Sequence, residues 1–464
     1  METWFIITIL FCLALLAKAL FDVLPKKPHI NVERKTRLPP GITISPLQWL
    51  LKYSSFHGPL PLAHCPTIWI SDPSYAHQAL TKNGSTLADQ VKPHPTHSIF
   101  NSNQHSVSSA AYGPTWQALR RNLASHFLSP AHISSFARVR KWALDVVVDR
   151  LEARSKLGGP IQVRDDFLHG MFRLQCAMCF GLLLDEAEVK EVQTVSRRIL
   201  LGLPRFNFLN VWPKLTKILF SSEWAEVRSL RTKLDDVYLC LINARTELIH
   251  RKGHINSETE GVQYCYVDSL LDMQIPNEEG GLRNLTEGKM VSLCNEFLNA
   301  STDLPSTELE WTMANLIKDE ELARIPYLKA VVLEVLRLHP PGHFVLPHRV
   351  ESDMELGGYT IPENSLVNVL FKPERFISGF GKDEVNFDLA GRKEIKMMPF
   401  GVGRRMCPGN VLARLNLEYL VANLVWRFEW EAVDEDVDMS EEVVFTIMMK
   451  QPLKVRISPR SSLN

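Results

Sequence analysis

The sequence predicts a mainly α-helical domain with a minor β subregion, set behind an N-terminal membrane helix. Residues 4–24 are almost wholly apolar, with Lys18 and Asp22 the only charges, a run long enough to cross a bilayer as a helix. Helical periodicity prevails from Thr115 to about Leu336, as in Phe136–Leu151 and Trp224–Ile249. Short apolar pieces broken by Pro and Gly lie on either side, at Pro59–Leu80, Leu356–Leu370 and the alternating Leu453–Ile457, and these read as strands.

Taken in order, the apolar run 4–24 is preceded by Glu2 alone and followed by Lys26, Lys27, Arg34, Lys35 and Arg37. Basic residues on that side place the body of the protein in the cytosol and fit a signal peptide poorly. Residues 25–41 form a basic, Pro-rich hinge ending in Leu38-Pro39-Pro40-Gly41, which is incompatible with a continuing helix. Residues 42–464 are read as one domain, since no internal repeat or low-complexity block divides them. Lys plus Arg and Asp plus Glu both number 52, so nothing points to a nucleic-acid partner. The eight cysteines are scattered, which argues for reduced thiols. Cys176 and Cys179 lie in the apolar run Phe172–Leu184 without a second pair, and read as helix core rather than a zinc or redox site.

The loop Phe400-Gly401-Val402-Gly403-Arg404-Arg405-Met406-Cys407-Pro408-Gly409 carries the chemistry. A thiolate from Cys407 would serve haem iron as axial ligand, pushing electron density onto the metal and favouring O–O cleavage. Pro408 suits a first helical turn, with Val411–Trp426 as the helix. The positive end of that helix dipole would keep the thiolate deprotonated. Gly401, Gly403 and Gly409 allow tight turns and close approach to a flat ring. Arg405 can pair with a haem propionate.

This loop resembles the haem-binding signature of the cytochrome P450 family. The resemblance extends to Trp116-x-x-x-Arg120, to Glu334-Val335-Leu336-Arg337 followed by His339-Pro340-Pro341, and to Phe371-Lys372-Pro373-Glu374-Arg375-Phe376. The wording of Pro341–His348 and of the Cys loop is most similar to plant microsomal members. The resemblance implies the P450 fold and b-type haem held by Cys407. It assigns Trp116 and Arg120 to one propionate, His348 to a propionate contact, and Phe400, Arg405 and Gly409 to the haem-lining loop. Glu334 and Arg337, joined by Arg375, become a structural charge cluster. Gly342–Leu346 and Phe445–Met448 become candidate pocket walls. The implied activity inserts one oxygen atom from O2 into a lipophilic small molecule at the cytosolic face of the endoplasmic reticulum membrane. Electrons come from NADPH through NADPH–cytochrome P450 reductase, docking beneath Cys407 where Arg120, Arg121 and Arg404 contribute charge.

The distal run is Ala300-Ser301-Thr302-Asp303-Leu304-Pro305-Ser306-Thr307, where the family has A-G-x-D-T-T. Asp303 is in place, but the alcohol that helps hold dioxygen and relay protons is replaced by Leu304. Pro305 removes a backbone donor, at about 3 kcal/mol inside a helix. Asp303 and Thr302 are therefore the candidate catalytic residues, with Ser306 or water as substitutes. Two stretches are also short against the family, between Ile317 and Tyr327 and between Val369 and Phe371. The departures keep two rivals open: a haem-thiolate isomerase or dehydratase that needs no O2, and a degenerate product without catalysis.

Overall fold

The computed structural model describes residues 67–91, 94–101, 106–210, 212–253, 263–277, 280–318, 328–342, 345–369, 389–433 and 437–460. The predicted anchor, the hinge, Phe371–Phe376, His343 and Phe344 and most of the acidic linker before Tyr327 lie outside these residues.

Proline sets the start of several helices because its fixed φ suits the first turn and its missing N–H would have no partner there. After β1 (Thr67–Ile70), α1 (Pro73–His77) and, past β2 (Asp89–Gln90), α2 (Pro95–Phe100) begin this way. So do α3 (Pro114–Arg121), which runs on through a π-helical turn to Phe127, and α4 (Pro130–Ser135). Next come α5 (Ala137–Ser155), β3 (Ile161–Gln162), α6 (Arg164–Phe180) and α7 (Glu186–Phe206). Gly181 ends α6 at φ 64, and a Cβ there would lie 2.4 Å from Nη1 of Arg245. Asp185 and Glu188 close a reciprocal capping box on α7, at 2.9 and 2.8 Å. A 3-10 turn (Asn207–Asn210) leads to α8 (Pro213–Leu219), α9 (Ser221–Gly253) and α10 (Tyr266–Leu271). The hairpin β4 (Gln274–Pro276) and β5 (Leu282–Asn284) precedes the long α11 (Glu287–Lys318) and then α12 (Leu328–Leu338).

The remaining strands are β6 (His348–Arg349), β7 (Met354–Leu356), β8 (Tyr359–Ile361) and β9 (Leu366–Val369). After α13 (Asn410–Arg427) come β10 (Phe428–Ala432), β11 (Glu441–Val443), β12 (Ile447–Met449) and β13 (Lys454–Pro459). The largest sheet has the order β1-β9-β6-β2, with β1 parallel to β9 and Thr67 opposite Leu366. The second has the order β10-β13-β3. In β13 Val455 and Ile457 are buried while Lys454 and Arg456 are exposed, the alternation expected of the tail.

The described apolar residues fall into two core clusters, and α11 threads both. Leu293, Phe297 and Leu298 belong to the helical cluster; Leu309, Trp311 and Met313 belong to the cluster built with the sheets. Residues 299–308 belong to neither, so the polar stretch of α11 sits where the two cores part. Helix α6 runs antiparallel along α11, with Arg164 bonded to Glu310 at one end and Cys179 bonded to Cys294 at the other. Trp311 donates to the Ile447 carbonyl (3.0 Å) and stacks on His339 at 3.9 Å, which pins the C-terminal hairpin to α11.

Several expectations shift. Pro408 lies before the helix, whose N-cap is Gly409 and whose first residue is Asn410. Among the candidate pocket walls, Ile447 and Thr446 are buried but Phe445 is 42% and Leu346 63% exposed, so the last two face outward. Cys176 and Cys179 are buried in α6 as read, and burial pushes the Cys176 thiol up to about 12.

Candidate active site

The cysteine loop is folded by its own backbone. The Cys407 N–H donates to the Phe400 carbonyl (2.8 Å), Met406 to Gly403 (3.2 Å) and Gly401 to Met398 (3.0 Å). Gly403, at φ 78, lets the loop lie against the first segment of the domain: a Cβ there would stand 2.2 Å from the Leu80 carbonyl oxygen. No other residue fits. Phe400 is half-buried against the sheet-side core. Cys407 is half-buried, its side chain accepting from the Gly409 N–H. Burial raises the thiol above its ordinary range, and the Gly409 N–H and Arg120 only partly offset this. A bound metal has to displace the proton.

Two guanidinium groups border the loop. Arg120, on α3, donates to the Met406 carbonyl. Arg405 donates to the carbonyls of Ala88 (2.6 Å), Val107 (3.2 Å) and Ala110 (2.7 Å), and lies over the Trp116 ring at 4.4 Å. Neither forms an ion pair among the described residues. Burial pulls Arg405 down to about 10; Asp89 and Glu296 offset this in part, and the neighbouring positive charge of Arg120 adds to it. Two half-buried cations are held side by side by carbonyl oxygens, and Asp89 and Glu296 offset the charge of Arg405 only in part, so the pair makes a site that an anion completes. The paired carboxylates of haem fit this cradle, and the half-buried thiol beside it fits the iron.

Trp116 is buried, but its indole N–H donates to the Val107 carbonyl (3.0 Å) rather than standing free for a propionate. A buried N–H needs a partner, and the loop supplies one. His348, buried on β6, has Nδ1 2.7 Å from the Leu87 carbonyl. Burial and the charge of Arg405 hold it below its ordinary range, so the neutral ring donates from Nδ1. Glu334 and Arg337 pair as expected at 2.6 and 2.8 Å.

Helix α11 is continuous through Pro305. Asp303 faces α7, 3.6 Å from Arg197, and burial raises its carboxyl above the usual range while Arg197 and Arg164 offset this in part. Thr302 is fully buried and donates to the Leu298 carbonyl (2.7 Å). Ser306 donates to Thr302 (2.8 Å) and Thr307 to Asp303 (2.9 Å). Every alcohol in this stretch is thus spent on the helix's own carbonyls, and none is aimed beside Leu304.

One functional contact was not legible in the sequence. Glu296, on α11, accepts from the backbone N–H groups of Val107 (2.8 Å) and Ser108 (2.7 Å). The Val107 carbonyl in turn receives Trp116 and Arg405. This peptide therefore ties the distal helix to the cationic cradle. Glu296→Ala is expected to lower stability by about 2–3 kcal/mol, the worth of charge-assisted bonds to backbone donors. Glu296→Gln, which keeps an acceptor oxygen, should lose less. Thermal midpoints and protease sensitivity of the loop at 106–110 measure both.

Comparison with known proteins gives a consistent picture. The cytochrome P450 family profile matches residues 48–324 and 317–457. Cytochrome P450 89A9 of Arabidopsis thaliana is 40% identical over 492 aligned positions, covering 91% of this chain and 94% of the relative. Geraniol 8-hydroxylase of Swertia mussotii is 26% identical, with 92% and 94% covered. A zebrafish cytochrome P450 solved with abiraterone superposes with a TM-score of 0.68 at 19% identity, covering 89% of this chain and 98% of the other. The shortened stretches leave a trace. The family match splits at 317–324, where the linker after α11 is short. The Arabidopsis alignment has 492 positions but takes in 91% of 464 residues, about 422, so roughly 70 positions face gaps in this chain. The profile match over most of the chain and the 40%-identical relative of Arabidopsis show that the chain belongs to the cytochrome P450 family, in its plant type, and is an oxidoreductase of the haem-thiolate monooxygenase kind.

Proposed function

We propose that this chain inserts one oxygen atom from O2 into a lipophilic small molecule, with electrons from NADPH delivered by NADPH–cytochrome P450 reductase. The observation that carries the reading is the half-buried Cys407 thiol beside two cations, Arg120 and Arg405, that make hydrogen bonds to carbonyls but no ion pair among the described residues. Haem bound there supplies O2 binding and O–O cleavage, the chemistry that thiolate ligation favours. The chain's own residues do the rest. Cys407 gives up its proton to become the ligand, and the Gly409 N–H steadies the sulfur. Arg120 and Arg405 neutralise the propionates, while His348 and Trp116 hold the walls of the cradle and Phe400 packs behind it. Asp303, beside Arg197, admits protons from the α7 side, with Thr302 behind it.

Exposed Arg121 and Arg404 flank the cysteine loop and supply positive charge for a reductase. Arg120, committed to Met406, does not share that task. The 3-10 turn and α8 expose Phe208, Trp212, Leu215, Ile218 and Leu219, the last two at 77% and 64%, next to Lys214 and Lys217. Among the described residues no helix is long and apolar enough to cross a membrane. The apolar run 4–24 and this exposed patch support attachment to the cytosolic face of the endoplasmic reticulum, with residues 25–41 as hinge and 42–464 as the haem-binding domain. Geraniol 8-hydroxylase and drimenol monooxygenase are among the named relatives, and their names support a lipophilic substrate.

The test is a reduced-plus-CO spectrum of the full chain followed by oxidation assays with and without reductase and NADPH. A thiolate-type band with NADPH-dependent oxidation of a screened lipophilic compound is expected. Turnover without reductase would instead favour the O2-independent isomerase or dehydratase, for which the missing alcohol at Leu304 is the argument. No haem binding would identify a degenerate product.

A further inference from the structure

Glu308 is the most anomalous side chain of the distal helix. It is 3% exposed, and neither carboxyl oxygen has a hydrogen-bond partner among the described residues. Among the described residues no neighbouring charge compensates it, and burial alone raises its pKa well above the carboxylate range. A group in that situation is a neutral carboxylic acid with an O–H to give.

Its direction follows from helix geometry. At 3.6 residues per turn, Glu308 lies only about 40° around α11 from Leu304. It lies about 160° from Glu310 and about 140° from Asp303. Those two acids are engaged elsewhere: Glu310 with Arg164 of α6 (2.7 Å) and with the Leu453 N–H (2.9 Å), and Asp303 with Arg197 of α7. Glu308 thus belongs to the other face, in the stripe Ala300, Leu304, Glu308. Within that stripe Ala300 is exposed and Leu304 half-buried although both sit in the middle of a core helix. The face therefore borders open space, and Glu308 stands where that space closes.

We propose that Glu308 supplies the proton that an alcohol at position 304 would otherwise relay, donating from the closed end of the space along Ala300 and Leu304. The inference rests on the monooxygenase reading above. In that reaction the substrate, O2, two electrons from the reductase and two protons become hydroxylated product and water. Glu308 breaks its O–H bond to give one of those protons to the oxygen that leaves as water, and takes a proton back from solvent. Neither Thr302 nor Ser306 is available for the task, since both hydroxyls donate to helix carbonyls.

The experiment uses the full chain, haem-loaded and reconstituted with reductase in lipid vesicles. Carbon monoxide is the probe of the distal space, read by its infrared stretch in the reduced protein. A hydrogen-bond donor beside the ligand shifts that stretch, so Glu308→Gln and Glu308→Leu should each move it, and a donor that is merely structural should not. A protonated-carboxyl band that shifts in heavy water should be present in the unsubstituted protein and absent in Glu308→Gln. The second readout needs no known substrate. Reducing O2 to peroxide uses one NADPH, whereas reducing it to two waters uses two and requires the proton delivery in question. Glu308→Gln should cut the flux to water by about a hundred-fold or more, the usual worth of a positioned proton donor, and drive the peroxide-to-NADPH ratio towards unity. An unchanged CO stretch together with an unchanged ratio, in a variant with normal haem content, overturns the proposal. Should the Gln variant lose haem, Glu308→Leu, which removes the acid without adding a polar group, takes its place and is read the same way. Absence of a thiolate-type CO band in the unsubstituted protein would overturn the monooxygenase reading first, so the two failures are distinct.

Discussion

Cys407→Ser is expected to abolish the thiolate-type spectrum of the reduced, CO-bound protein and to reduce NADPH-dependent oxidation to background. Serine is a poor donor to iron, lacking sulfur's softness, and its hydroxyl stays protonated where even the thiol is pushed up by burial. The fold should survive. The loop is held by the Cys407 N–H to Phe400, the Gly403–Met406 turn and the Asn410 side chain on the Cys407 carbonyl (3.1 Å), and none of these uses the sulfur. Four other described thiols, Cys176, Cys179, Cys265 and Cys294, are buried in the helical core, with burial holding Cys176 and Cys265 up at about 12, and Cys240 lies exposed on α9 away from the loop. Arg405→Leu separates ligand from cradle. It should leave the spectral type unchanged but speed haem loss by about ten- to a hundred-fold, since charge-assisted hydrogen bonds are worth about 1.5–3 kcal/mol. The two variants together decide the assignment. A thiolate spectrum surviving in Cys407→Ser, or an altered spectral type in Arg405→Leu, would sink it.

The cysteine loop was legible because its residue types have backbone consequences that leave few alternatives. Gly403 cannot carry a Cβ against Leu80, Arg405 is held half-buried by three backbone carbonyls beside the loop, and Glu334 and Arg337 are within one helical turn. The strands at 67–70, 366–369 and 454–459 were legible for a similar reason, since short alternating or continuous apolar runs between turn residues leave little else to do. What the sequence hid depends on contacts between distant segments. Nothing local shows that the Trp116 indole is spent on Val107, a backbone carbonyl nine residues upstream, or that Glu296 reaches across 189 positions to the same peptide. Glu308 was passed over because a lone Glu in an amphipathic helix normally faces water, and only the packed structure shows it buried without a partner.

Restoring the missing alcohol should raise the fraction of NADPH electrons that reach product, but only if Pro305 is replaced at the same time. Hydroxyls in this stretch of α11 donate to the carbonyl four residues back, as Thr302 does to Leu298 and Ser306 to Thr302. A threonine at position 304 has the carbonyls of Ala300 and Ser301 within reach. Pro305 has no N–H to give Ser301, whose carbonyl is then a waiting acceptor for the new hydroxyl. Leu304→Thr alone is therefore expected to change coupling little, its proton trapped on the helix. Leu304→Thr with Pro305→Thr returns the N–H to Ser301, frees the hydroxyl to face the open side of the stripe, and removes a helix-interior proline worth about 3 kcal/mol. The gain should be larger when Glu308 is also Gln, because one proton donor then replaces another instead of adding to it. The measurement follows NADPH loss, peroxide and product together in the single, double and triple variants. A coupling gain in Leu304→Thr equal to that of the double variant would reject the carbonyl-trap argument. No gain in any background, with haem content normal, would show that the distal alcohol is dispensable in this chain and that protons reach the site by water alone.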